Sequence, residues 1–208
     1  VNADFEFRII KLGGSLLDFD GLVPQFRRWL AAQSPATNVV VVGGGPLADT
    51  IRDAFARHEL TEEAAHWLCV RLLGVTAELV HNFLPESSLV DRFADLSSDG
   101  HQGRLVLFQT EHFLRNEEPS LSPSPLPHNW NVTSDSITAR LAALIHAGEL
   151  VLLKSGLPRA EATPSDMAQD GYVDPYFPQA AAGLPVIRCV NLRGDEFPEV
   201  KLDSNAKP

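Results

Sequence analysis

The chain reads as an α/β protein, a three-layer α/β/α sandwich around a mainly parallel sheet, on two observations. Short β-branched runs alternate with longer stretches of helical periodicity, the pattern of strands covered on both faces by helices. Two of those runs also break directly into glycine turns, Gly13-Gly14-Ser15 and Gly43-Gly44-Gly45, about thirty residues apart. Glycine turns at strand ends are where ligands of open α/β sheets collect.

Each element follows from its residues. The first strand runs from Phe5 to Leu12 and carries Lys11 at its carboxyl end. A helix from Gly21 to Ala32 leads to the strand Asn38 to Val42, whose Gly43-Gly44-Gly45 turn opens a helix from Pro46 to His58. Pro46 suits a first helical turn, because its missing N–H would have no partner there. A long helix starts at Thr61, with a cap residue and the acids Glu62 and Glu63 in its first turn, and ends at Phe83. Ala64, Leu68, Leu72, Val75, Leu79 and Phe83 recur on it at helical spacing, and Trp67, Val70, Leu73 and Val80 widen the apolar stripe. That surplus implies either two contact surfaces, one for the core and one for a second subunit, or a fully buried helix. Further strands are expected at Leu105 to Phe108, Leu150 to Leu153 and Pro185 to Val190, and helices at Ser134 to Ala147 and Pro175 to Ala182. Asn116 to His128, with Pro119, Pro123, Pro125 and Pro127 among serines, is expected to form neither helix nor central strand. It is a lid over the site or a passive surface loop.

Composition narrows the function. The 208 residues fit one domain or two small lobes, and 44% hydrophobic with 21% charged is ordinary for a soluble globular protein. With 17 basic against 27 acidic residues and a formal charge of −10, a broad surface for nucleic acid or anionic lipid is not expected. Cys69 and Cys189 are too few for a zinc quartet or a disulfide scaffold and read as small apolar residues. Neither a secretory pattern nor an 18-residue apolar run occurs, so a cytoplasmic location with no membrane partner is expected. Without a secretory signal, Asn131-Val132-Thr133 is a chance match to a glycosylation acceptor. P-loop, dinucleotide-loop and nucleophile-elbow patterns do not occur. The seven histidines show no metal-ligand spacing and read as structural or exposed, so no metal ligands are assigned.

The chemistry suggested by the glycine turns is phosphoryl transfer. Glycines let successive N–H groups converge on one anion without side chains in the way. Lys11 stands where its ammonium would offset charge spreading over phosphoryl oxygens. The amides of Gly43, Gly44 and Gly45, at a helix N-terminus, suit an anionic or polar acceptor group. Asp49 and Arg52 lie three apart on that helix and share a face, so Arg52 either grips a phosphate or carboxylate or forms a surface ion pair with Asp49. Thr133, Ser134 and Asp135 are all strong N-cap types before the helix at Ser134, and one residue can cap a helix and serve a site together. Lys154 and Ser155 end another strand at its carboxyl edge, repeating the logic of Lys11.

The motif Lys11-Leu12-Gly13-Gly14-Ser15, the triple glycine, Thr133-Ser134-Asp135-Ser136 and the strand ending at Lys154 together resemble the amino acid kinase family, the carbamate-kinase-like fold. The resemblance covers about the whole chain in order and weakens after Ser155. It implies an ATP-dependent small-molecule kinase using magnesium, with an acceptor-binding lobe at 1–148 and a shortened nucleotide-binding lobe at 149–208, and a homodimer or higher homo-oligomer. Lys11 and Asp135 would be catalytic, Asp135 orienting Lys11 or holding a magnesium-bound phosphate. Gly13, Gly14, Ser15, Ser155, Gly156 and Asp174 would meet the nucleotide. Gly43, Gly44, Gly45, Asp49, Arg52, Thr133 and Ser134 would hold the acceptor. Many members continue the late strand with Thr-Asp and an Asp-Gly turn, whereas this chain reads Lys154-Ser155-Gly156-Leu157-Pro158-Arg159 and reaches Asp170-Gly171 only later. A second catalytic lysine is absent further on, since Lys201 and Lys207 are terminal, and Lys154 or Arg159 would substitute. Within the family, Ala65-His66-Trp67, Thr133-Ser134-Asp135-Ser136 and Leu152-Leu153-Lys154-Ser155 look most like the branch acting on an aminomethyl-furan-methyl phosphate in methanofuran biosynthesis. The altered segment keeps two other classes open: a ligand-binding or storage protein on the same scaffold, and a structural partner subunit.

Overall fold

The structure, a computed structural model, describes residues 6–121 and 124–203. Phe5, Pro123 and Lys207 lie outside them. The chain order is β1 (Phe7–Leu12), α1 (Leu22–Ala31), β2 (Thr37–Val42), α2 (Pro46–Arg57), α3 (Glu62–Phe83), β3 (Ser88–Val90), β4 (Leu105–Phe108), α4 (Thr110–His112), α5 (Glu118–Leu121), α6 (Ser134–Leu144), β5 (Glu149–Lys154), α7 (Pro164–Gln169), α8 (Phe177–Ala180), β6 (Val186–Asn191) and β7 (Glu199–Asp203). Among the described residues, seven strands form one sheet in the order β3-β4-β2-β1-β5-β6-β7, parallel throughout except for the antiparallel pair β6–β7.

Burial on both faces explains the near-continuous apolar strands. Val39 to Val42 are all fully buried. One core layer joins Ile9, Val39, Val41, Leu150 and Leu152 to α3, α6 and α8; the other joins Ile10, Leu12, Val40 and Val42 to Phe26 and Trp29 of α1. Successive strand residues alternate between these layers. Lys11 therefore points with Ile9, and Lys154 with Leu152, toward α6.

Several expectations need correction. The segment after Asn116 is helical as far as Leu121: α4 passes through a π-helical stretch, Phe113–Glu117, into α5. Pro119 follows directly on the π-helical stretch, where the helix is already irregular. Glu118 is fully buried there, pairs with Arg140 at 2.8 Å and accepts from the Leu126 N–H at 3.3 Å, which ties the proline-rich stretch to α6. The helix expected from Pro175 to Ala182 is only the single turn α8, and α6 stops at Leu144 rather than Ala147.

Helix α3 is not fully buried. Thr61 caps it, accepting from the Ala64 N–H at 3.2 Å. Its inward face is Ala65, Val70, Leu73, Ala77 and Val80, whereas Leu68, Val75, Leu79 and Phe83 are between 39% and 54% exposed. The stripe with the more regular spacing is thus the outer one.

Candidate active site

The site forms where β1, β2 and β5 end side by side. Parallel pairing sets Lys11 opposite Leu152, so Lys154 stands two residues further along the adjacent strand on the same face. Asp135, in the first turn of α6, lies above both. Lys11 Nζ is 2.8 Å from Asp135 Oδ1, and Lys154 Nζ is 3.0 Å from Asp135 Oδ2. One carboxylate thus bridges two ammoniums. Lys154 also donates to the Tyr172 carbonyl and lies 4.5 Å from the centre of the Tyr172 ring.

Electrostatics follow from this crowding. Burial works against the charge of Asp135, but the Lys11 and Lys154 ammoniums outweigh it and hold the carboxyl below its usual range. Lys154 is pushed down to about 8, by burial first and by the like charge of Lys11 second, against the pull of Asp135. The cluster carries two positive charges against one negative.

The two glycine turns meet backbone to backbone. A Cβ on Gly14 would lie 2.0 Å from Gly45 N, and one on Gly45, whose φ is 55°, would lie 2.4 Å from Gly14 O. Gly13 N–H is spent on Leu153 O and Gly43 N–H on Leu12 O, both at 2.8 Å. Among the described residues, the N–H groups of Gly14, Ser15, Gly44 and Gly45 donate to no protein acceptor. They are free for an anion.

Two clefts share this centre. One of about 510 Å³ lies over the Gly43-Gly44-Gly45 turn and α2, with Val70, Leu73, Val132 and Ile137 as apolar walls. Arg52 and Asp49, paired at 2.6 Å and well exposed, belong to it, as do Thr133 and Ser134. The other, about 350 Å³, is lined by Gly13, Gly14, Ser15, Ser155, Gly156, Leu157 and Tyr172. Lys11, Gly14, Ser15 and Lys154 border both. The Ser15 and Ser155 hydroxyls are 2.7 Å apart.

Asp174 has another task. It accepts from Thr133 N–H at 2.9 Å, Thr133 Oγ1 at 2.8 Å and Ser136 N–H at 3.0 Å, and Ser136 Oγ donates to its second oxygen. It caps α6 from a distance, which Thr133 itself does not do. Burial first, and the charge of Asp135 second, push its carboxyl up. Arg159 is paired with Asp166 at 2.6 Å and Asp170 at 2.8 Å on the surface, so Lys154 and not Arg159 joins Lys11.

Several wall residues escape sequence reasoning. His66 is buried, lines the larger cleft and shares a hydrogen bond of 3.1 Å between Nδ1 and the Asn129 carbonyl; burial pushes its pKa down. Trp130, two residues past the proline-rich stretch, also lines that cleft, edge-on to Phe55 at 5.3 Å. No described residue of the stretch itself lines that cleft, and His128 at its end stacks on His66 with ring centres 5.6 Å apart. Tyr172 follows the Asp170-Gly171 pair already singled out, and that adjacency was its one signal.

Comparisons with known proteins agree with this fold. A curated relative, the [5-(aminomethyl)furan-3-yl]methyl phosphate kinase of Methanocaldococcus jannaschii, is 23% identical over 145 residues, 69% of this chain. The chain spans about 63% of the length of that relative. Among solved structures, uridylate kinase from Archaeoglobus fulgidus superposes with a TM-score of 0.59 at 16% identity over 88% of both chains. UMP kinase from Bacillus anthracis gives 0.60 at 12% identity over 92% of this chain and 89% of that one. Aspartate kinase from Synechocystis gives 0.62 at 17% identity over 97% of this chain and 40% of that one. These share the fold. The model of the amino acid kinase family matches residues 6–156, ending where the sequence departs from the expected pattern after Ser155. Since that match takes in well over half of the residues, the chain belongs to the amino acid kinase family.

Proposed function

We propose that the chain is a phosphotransferase, moving the γ-phosphoryl group of ATP onto a small-molecule acceptor. The observation that carries this reading is the Lys11–Asp135–Lys154 cluster at the seam of two clefts. A phosphoryl group in transit spreads negative charge over its oxygens, and a buried site with one surplus positive charge stabilises it.

The donor phosphates fit the smaller cleft, where the Gly14 and Ser15 amides are free. The acceptor fits the larger one, with its anionic group at the Gly44 and Gly45 amides or Arg52. An acceptor oxygen attacks phosphorus in line, the bond to the bridging oxygen breaks, and ADP leaves. A phosphate or carboxylate oxygen is already anionic, so no base is required; Asp135, with both oxygens on lysines, holds Lys11 and Lys154 in place instead. Among the described residues no cluster of three metal-binding side chains occurs, so magnesium would be held by the phosphates of the nucleotide and supply further charge neutralisation there.

On this reading residues up to 148 carry the acceptor half, apart from Gly13, Gly14 and Ser15, which face the donor, and those from 149 the nucleotide half. A phosphomonoester acceptor with an apolar ring, such as an aminomethyl-furan-methyl phosphate, suits a cleft with apolar walls and Arg52 at its mouth. The relative from Methanocaldococcus jannaschii, named for such a substrate, supports that choice. The exposed stripe on α3 supports a homodimer, which solution mass measurement tests.

The test is a screen of phosphorylated amine and alcohol acceptors with ATP and magnesium, read by ADP release, on the wild type, Lys11→Ala and Asp135→Asn. Wild-type turnover in both variants would remove the roles assigned here. An unchanged melting midpoint at millimolar ATP would favour the ligand-binding alternative.

A further inference from the structure

The turn between β6 and β7, residues 192–198, reaches back to the catalytic edge of the sheet, and nothing in the transfer described above uses it. Its first residues touch both lips of the smaller cleft. The Leu192 N–H donates to the Lys154 carbonyl at 2.9 Å, and Arg193 Nη2 donates to the Ser15 carbonyl at 3.0 Å.

The turn is held in that place from several sides. Asn191 Oδ1 accepts from the Arg193 N–H at 3.0 Å, fixing where the side chain starts. The Arg193 guanidinium lies 5.3 Å from the centre of the Phe19 ring. In return Arg28 of α1 lies 4.6 Å over Phe197 and donates to the Asp195 carbonyl. Each segment thus sets an arginine on a ring of the other. Phe197 has φ 53°, a left-handed conformation that a bulky residue keeps only where its surroundings impose it.

We propose that Arg193 is a positioning residue for the donor phosphates, acting through the Ser15 carbonyl. The inference rests on the kinase reading. The peptide between Ser15 and Leu16 is gripped at both ends, its oxygen by Arg193 and its N–H by the Gly13 carbonyl at 2.9 Å. With that plane fixed, the preceding peptide, which carries the free Ser15 N–H, has little freedom to turn from the cleft. Arg193 also brings a positive charge to the donor side.

The test compares Arg193→Ala, Arg193→Lys and Arg28→Ala in the whole chain, with ADP binding measured by calorimetry and melting midpoints by circular dichroism. Arg193→Ala is expected to weaken ADP about tenfold, the scale of one hydrogen bond to a charged group, with partial recovery in Arg193→Lys. Arg28→Ala loosens the same turn without touching Ser15, so its midpoint falls while its ADP affinity stays that of the wild type. Unchanged ADP affinity in Arg193→Ala, or an equal loss in Arg28→Ala, overturns the proposal and leaves a purely structural hairpin. A wild type that binds no ADP is a different result, because it overturns the kinase reading itself.

Discussion

Gly14→Ala is the sharpest test of the contact between the two glycine turns. The new methyl carbon would sit 2.0 Å from Gly45 N and 2.5 Å from Gly45 Cα. Unbonded heavy atoms settle at about 3.5 Å, so one turn must retreat by about 1.5 Å. Both neighbours are backbone, and neither yields by a rotamer change. Overpacking of this kind costs about 1–3 kcal/mol of stability, and the rigid surroundings place this site at the upper end. The functional effect is larger: a misplacement of about 1 Å at a reacting centre costs on the order of a hundredfold in rate. Urea unfolding and ADP release, run on the wild type and Gly14→Ala, measure the two effects separately. A variant with wild-type stability and turnover would show that the turns do not touch and would refute the reasoning.

Asp135→Asn leaves two ammoniums, only 8% and 14% exposed, without a counter-charge, and should cost about 3–5 kcal/mol in equilibrium unfolding near neutral pH; a loss under about 1 kcal/mol would contradict the pairing. Lys154 titrates near 8 in the folded chain against 10.5 when unfolded, so between those values the unfolded chain holds more protons and stability rises with pH. Lys154→Gln should lack that rise, and parallel pH profiles of the melting midpoint for the two proteins would sink the assignment. Asp174→Ala removes the remote cap of α6 and should cost about 2 kcal/mol, seen as a lower urea midpoint with an unchanged slope.

Local chemistry was legible in the residues; convergence was not. The ends of β1, β2 and β5 were readable because a glycine turn or a lysine at a strand end is a local signal, and all three meet in the site. That Lys154 joins Lys11 on Asp135 depends on the pairing of Lys11 with Leu152, a register no single stretch of sequence contains. Strand β3 was missed because three residues show no period, and β7 because Glu199-Val200-Lys201-Leu202-Asp203 alternates as an antiparallel edge strand does, at a place read as a tail. Both faces of α3 are apolar, so periodicity alone could not say which one is buried. Asp174, expected at the nucleotide, lines the larger cleft, and the donors that hold its carboxylate come from 38 and 41 residues away.

The placement of β1 between β2 and β5 carries a further consequence. Adjacent strands lie about 4.8 Å apart whatever their side chains, because main-chain hydrogen bonds set that spacing. On the proposed kinase reading, donor and recipient loops that spring from neighbouring strands would inherit a yardstick made of backbone, and substitutions in the cleft walls could swap the cargo without altering the stride between the two stations.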